Sequence, residues 1–259
     1  GTYRTGQNVD LTATFAVGGN NVNVNVTGNP TIPVEVNTAT GSRTATATYV
    51  TGTGTNQLTF RFTVEPGDRD LVDTNGISIT SPAIVLGTGT ITDPAGNPVA
   101  LEFAPPNLST VFLDGDAPTV TNVIQPQPRV YVTGDNLDVQ VVFSEAVTVA
   151  TAGGTPSIPL TINGTVRQAN YTAGTGTNTL TFRYTPIAAA DSASGAIAIG
   201  QIALNGGTIQ DANTNNAVLT YTAPTVTGVV INRPGATVAA TPGTYRTGQN
   251  VDLTATFAV

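Results

Sequence analysis

Gly1-Thr-Tyr-Arg-Thr-Gly-Gln-Asn-Val-Asp-Leu-Thr-Ala-Thr-Phe-Ala-Val17 opens the chain, and the same seventeen residues return, letter for letter, as Gly243–Val259. Identity over that length at a single shift of 242 positions marks a tandem repeat, and a long fixed period governs the architecture before any local motif does. The 259 residues therefore read as one full period plus a short overlap, an excerpt of a longer repeating polypeptide. Inside the stretch, Val9, Leu11, Ala13, Phe15 and Val17 alternate with Asp10, Thr12, Thr14 and Ala16. A period of two places one set on a buried face and the other in water, so the stretch is a strand.

A looser copy lies mid-chain. Tyr131-Val-Thr-Gly-Asp-Asn-Leu137-Asp-Val139-Gln-Val141-Val-Phe143 aligns with Tyr3–Phe15 at an offset of 128. Pro30–Val36 aligns with Pro156–Ile162 at 126, and Gly52-Thr-Gly-Thr-Asn56-Gln-Leu58-Thr-Phe60-Arg-Phe62 with Gly174–Tyr184 at 122. Gly89–Asp93 aligns with Gly207–Asp211 at 118, and Ala117-Pro-Thr-Val120-Thr-Asn-Val123 with Ala223–Val229 at 106. The offset slips only between strands. Surface loops tolerate insertion, whereas a one-residue slip inside a strand turns its buried face outward. The period thus holds two homologous β domains.

Taking Ala-Pro-Thr-Val as the start of each domain sets three segments: 1–116, 117–222 and 223–259. The first lacks its own opening strand, and the last begins the next repeat with two strands, the earlier near Val226–Ile231. Each unit carries about seven strand signals with turns every 8–12 residues, the pattern of an immunoglobulin-like sandwich. The fold class is all-β, two tandem sandwiches of this kind. In the central unit strands are expected near Val120–Val123, Leu137–Phe143, Ile158–Ile162, Ala169–Tyr171, Leu180–Thr185, Ile197–Leu204 and Val218–Tyr221. Leu180, Phe182 and Tyr184 are expected to meet Val139, Val141 and Phe143 across the two sheets.

Composition narrows the chemistry. Formal charge is −7 and all nine cations are Arg, which argues against nucleic acid, whose binders carry basic stripes. Cys, His, Met, Trp and Lys are absent. There is no disulfide or thiol chemistry, and no Lys for a Lys–Asn isopeptide cross-link. No apolar run reaches the roughly 18 residues of a membrane span, so no membrane insertion is expected in this segment. The usual bases and nucleophiles of acyl transfer are missing. Carboxylate pairs on the turns of a repeated module do not suggest a cleft, and the chain is expected not to be an enzyme.

The ordered set Ala117-Pro-Thr-Val-Thr, Thr133-Gly-Asp135, Val142-Phe-Ser-Glu-Ala-Val147, Gly174-Thr-Gly-Thr-Asn178 and Leu204-Asn-Gly-Gly-Thr-Ile209-Gln-Asp211 resembles the bacterial Ig-like repeats of giant surface and secreted proteins, adhesins among them. The resemblance covers nearly the whole chain in both copies. It implies an extracellular or cell-surface, non-catalytic role as stalk, spacer or fibre, with Ca²⁺ near domain junctions. The first copy departs from it where Ala16-Val17-Gly18 replaces Ser-Glu-Ala-Val, leaving Glu145 without a counterpart.

Two acidic loops are the candidate calcium ligands. Glu65-Pro-Gly-Asp68-Arg-Asp70-Leu-Val-Asp73 gathers four carboxylates, Asp114-Gly-Asp116 leads into the central unit, and Asp93 lies in Asp-Pro-Ala-Gly-Asn97. Calcium wants about six to eight oxygens on a turn that converges them, which nominates Asp68, Asp70, Asp73, Asp93, Asp114 and Asp116. The alternative is a set of solvated Asp-Gly turns, with Arg69 neutralising part of the charge. Tyr3, Tyr49, Tyr131, Tyr171 and Tyr245 recur at strand ends, where sandwich packing with the hydroxyl at the rim is the expected use.

The expected function is structural or adhesive: Ig-like domains strung end to end as a fibre, stalk or surface-layer filament. Its partners are neighbouring repeats of the same protein in homotypic head-to-tail assembly. A sandwich without one edge strand exposes unpaired backbone groups, so head-to-tail strand donation is a further expectation. The rival is a glycan- or receptor-binding module that reads its ligand with end loops.

Overall fold

A computed structural model of the chain describes residues 1–70, 77–184, 191, 193–194, 197–231 and 235–258. Among them the regular structure is all strand, with no helix. The chain divides into two compact units: 1–117 with Asn213–Asn215, and 118–212 with 216–259.

In the first unit a five-stranded antiparallel sheet runs in the order Ile77–Ser78, Thr31–Thr38, Gly41–Thr51, Gln57–Thr63, Asn8–Thr14. A second sheet places Phe112–Asp114 between Thr2–Arg4, which it meets in parallel, and Arg69–Asp70. Alternation decides which side chains go inside. Val34, Val36, Ala47, Leu58 and Phe60 are fully buried, while their neighbours in each strand face outward or half outward. Leu113 brings the second sheet into the same core.

The second unit repeats this plan. Its larger sheet runs Val120–Ile124, Leu137–Ala150, Thr177–Tyr184, Thr165–Ala173, Ser157–Ile162, Ile197–Ile199, and Thr208–Gln210 joins the far half of Leu137–Ala150. Val130–Tyr131 pairs in parallel with Val230–Ile231, as Thr2–Arg4 does with Phe112–Asp114 in the first unit.

Register is the same in both. Leu11 lies opposite Phe60, and Val139 opposite Phe182. Tyr49 meets Phe60 edge-on at 6.1 Å and 66°; Tyr171 meets Phe182 at 6.1 Å and 68°. The Gly-Thr-Gly-Thr-Asn turns agree as well. Thr55 Oγ1 donates to the Gly52 carbonyl at 2.7 Å, as Thr177 does to Gly174 at 2.8 Å. Gly52 sits at φ +118° and Gly174 at +109°, and a Cβ on either would lie 2.0 Å from a backbone oxygen. Only Gly fits there.

Three expectations change. Leu180, Phe182 and Tyr184 are hydrogen-bonded neighbours of Val141, Val139 and Leu137 in one sheet, not partners across two. Val218–Tyr221 forms a single bridge instead of a strand, and the last sheet-forming segment before it is Thr208–Gln210. The stretch read as the opening strand of a new repeat, Val226–Ile231, belongs to the second unit: Val226, Val229 and Ile231 are in its core. The segment that pairs with the returning sequence Leu253–Ala258 is Gly235–Ala240.

Candidate functional site

The acidic loops are organised by arginines. Gly41–Thr51 carries Arg43 to the loop before Arg69–Asp70, where its Nε and Nη2 donate to the two oxygens of Asp68, each at 2.6 Å. The Glu65 amide donates to Asp68 Oδ2 at 2.8 Å, and the Glu65 carboxylate stands 3.5 Å from Arg43 Nη1. Asp68 is 1% exposed, so this bidentate pair is nearly dry on the acid's side. The carboxylate in turn holds the Arg43 guanidinium above its ordinary pKa.

The loop is sewn to its neighbour by backbone. Gly67 donates to the Gly115 carbonyl at 2.9 Å, and Gly115 to that of Asp68 at 2.6 Å. Arg69 reaches Asp116 at 2.8 Å, the neutralising role expected of it. Asp70 and Asp114 are both buried on adjoining strands. Within this unit Asn213 Nδ2 donates to the Asp114 carboxylate, and Asn215 Nδ2 to its carbonyl at 3.0 Å.

Four of the six nominated ligands, Asp68, Asp70, Asp114 and Asp116, therefore gather on two paired segments. Asp93 does not join them. It follows the two-stranded ribbon Asn25–Thr27/Thr90–Thr92, where its oxygens accept from the amides of Ala95 and Asn97 and from the Asn97 side chain, at 2.8–2.9 Å. That Asn97 side-chain bond is the main reason its pKa lies below the ordinary carboxylate value. Asp73 lies outside the described residues. Among the described residues no three acidic groups form a metal-holding cluster. Asp68 and Asp116 meet arginines and Asp93 closes its own turn, so as arranged these three do not fit a calcium cage.

Arg43 was missed from sequence. Its signal was present: Arg167 recurs 124 positions on, between the offsets of the flanking strands, and in the second unit it donates to Asp191 at 2.7 Å.

A second feature is a groove along the outer edge of Asn8–Thr14. That strand pairs with Gln57–Thr63 on one side and ends its sheet on the other. The groove has a volume of about 580 Å³ and is lined by Leu11, Ala13, Phe15, Ile84, Leu101 and Phe103. The corresponding place in the second unit is filled. There Val120–Ile124 pairs with Leu137–Ala150. Just before it, Thr119 bridges Val218 and accepts from the Ser144 amide at 2.8 Å.

No protein-family model matches the chain, and no curated protein matches it. Among solved structures it is similar to a DUF4785 family protein from Legionella pneumophila, with 10% identity, a TM-score of 0.26, and coverage of 86% of this chain and 54% of that one. The chain thus spans about half the length of that protein.

Proposed function

We propose that the chain is a non-catalytic, extracellular structural or adhesive repeat protein, its two units being immunoglobulin-like sandwiches strung end to end in a fibre, stalk or surface filament. One observation carries the reading. The two units repeat one another down to strand register, the Tyr–Phe edge contact and the Arg–Asp pairs, and the sequence then begins the same unit again. Arrays of this kind gain stability unit by unit and from nearest neighbours, and they reach farther as units are added. Neighbouring repeats are the partners.

Calcium stays outside this reading. To bind at Asp68 or Asp116 it has to displace Arg43 or Arg69, and the array does not depend on it.

The test is solution scattering on polypeptides of one and two periods. A compact globule would grow about 1.3-fold in radius of gyration on doubling, whereas a string of units approaches a doubling. Growth at the compact value would overturn the proposal.

A further inference from the structure

We propose that Asn163 is a site of spontaneous covalent modification, its side-chain amide converted to aspartate and isoaspartate, and that the fold protects Asn205 from the same reaction.

The second unit holds two turns of one kind. Asn163-Gly164 joins Ser157–Ile162 to Thr165–Ala173, with Ile162 opposite Thr165 as the last pair. Its two residues sit at φ +46° and +78°. Asn205-Gly206 sits at +52° and +90°, closed by the Gly207 amide donating to the Leu204 carbonyl at 2.8 Å. Positive φ at both central residues is the tight hairpin turn that selects Asn-Gly. Both asparagines are exposed.

Their side chains are held differently. Asn205 Nδ2 donates to the Thr155 carbonyl and to Ser157 Oγ, each at 2.9 Å, and Ser157 is itself 3% exposed. An asparagine amide has two hydrogens to give, and both are committed. The backbone beside it is crowded too: a Cβ on Gly206 would lie 2.5 Å from the Gly153 carbonyl oxygen. Around Gly164 there is nothing within 4 Å of that position. Among the described residues the Asn163 side chain makes no hydrogen bond.

The reaction needs only the chain and water. The Gly164 nitrogen bonds to Asn163 Cγ, and the Cγ–Nδ2 bond breaks. Ammonia leaves with the proton that the Gly164 nitrogen gives up. The five-membered imide takes up one water at either carbonyl, opening to aspartate or to isoaspartate. Each product adds one negative charge to a chain already at −7. Isoaspartate also inserts a methylene into the main chain of a turn with no residue to spare, so the hairpin frays from Ile162 and Thr165. The first unit closes the matching hairpin, Thr31–Thr38 with Gly41–Thr51, on Ala39-Thr40 and has no such amide there.

Trypsin separates the two sites. With no lysine it cuts after arginine alone, leaving Asn163 in 130–167 and Asn205 in 184–246, since the Arg233–Pro234 bond resists it. The third Asn-Gly, Asn75-Gly76, falls in 70–129 and lies outside the described residues. The full chain is incubated in mildly alkaline buffer, folded or in urea, and the amide-to-acid mass gain of each peptide is followed with time. In the folded chain Asn163 should convert about tenfold faster than Asn205 or more. Tenfold is ~1.4 kcal/mol of barrier, within what two side-chain hydrogen bonds supply. In urea the two rates should converge, because the flanking letters are nearly alike. Gly164→Ala puts a methyl group beside the attacking nitrogen and should slow Asn163 several-fold while Asn205 keeps its rate.

Equal rates in the folded chain overturn the proposal, as does a folded chain in which Asn163 stays intact while urea converts it. A difference that persists in urea assigns it to local sequence and overturns the protection by the fold. Unchanged conversion in Gly164→Ala overturns the attack by the Gly164 nitrogen.

Discussion

Removing Arg43 should cost the first unit more than any surface ion pair could. Arg43→Ala deletes two 2.6 Å charge-assisted hydrogen bonds and leaves Asp68, 1% exposed, facing the gap. Breaking a buried pair from one side costs about 3–5 kcal/mol, because the remaining charge is left uncompensated. The guanidinium is itself 26% exposed, so water can enter the space it leaves. That argues for the lower end, about 3 kcal/mol. At roughly 4 °C per kcal/mol for a unit of this size, the affected transition falls by about 12 °C. Calorimetry or urea unfolding of the full chain reads it. Arg43→Ala/Asp68→Asn should recover more than half of the loss, since the second change removes the stranded charge, and the cycle isolates the coupling. A single-variant cost below about 1 kcal/mol, the range of exposed pairs, would refute the claim that the acid is effectively dry.

Gly174→Ala should cost about 3 kcal/mol, from left-handed strain and the 2.0 Å approach to the Thr179 carbonyl. Gly164→Ala, with φ +78° and nothing within 4 Å, should cost only about 1 kcal/mol; equal urea midpoints for the two would remove the steric argument. Acid should weaken the fold. Asp10 is held below its ordinary 3.8 mainly by the Arg61 hydrogen bond, Asp135 mainly by the Val132 amide and Asp93 mainly by the Asn97 side chain. Depressed folded values mean that this stability is complete above about pH 4 and lost as pH falls through the folded pKa. A urea midpoint that holds or rises from pH 5 to pH 3 would contradict it. Calcium should leave the melting temperature where chelator leaves it, because Arg43 and Arg69 hold Asp68 and Asp116. A rise on adding calcium would return those residues to the ligand list.

The parts legible in sequence were those set by alternation and repetition. Val9, Leu11 and Ala13 declared their face, and the alignment of Leu58-Thr-Phe60 with Leu180-Thr-Phe182 foretold matching slots in the two units. The error at Val226–Ile231 has a physical cause. Ala117-Pro-Thr-Val120 and Ala223-Pro-Thr-Val226 share letters, but the first leads into a strand beside Leu137–Ala150 and the second into one beside Val130–Tyr131. A short extended motif carries no information about its partner. The overlooked signal was the offset: Val230 stands to Phe112 at 118, as Gly207 stands to Gly89. The acidic loops stood out in sequence as candidate calcium ligands, Asp68, Asp70, Asp73, Asp93, Asp114 and Asp116. The destination of Arg43 did not, because a long flexible cation reaches a partner that only tertiary pairing supplies.

The repeated seventeen residues separate what local chemistry dictates from what neighbours dictate. The turn after Arg4 and its copy after Arg246 are the same. The Arg amide donates to the glutamine Oε1 at 2.9 Å in one and 2.7 Å in the other, and Gly6 and Gly248 sit at φ +82° and +89°. No strand partner is needed for that. The strand that follows does need one. It spans Asn8–Thr14 where Gln57–Thr63 lies alongside, but in the copy it begins only at Leu253, where Ala240 first offers a partner. Val9 is 2% exposed and its twin Val251 is 50%. Identical propensity thus yields different boundaries and burial, and the difference is the neighbouring strand. The same letters are buried or exposed according to the strand that lies beside them.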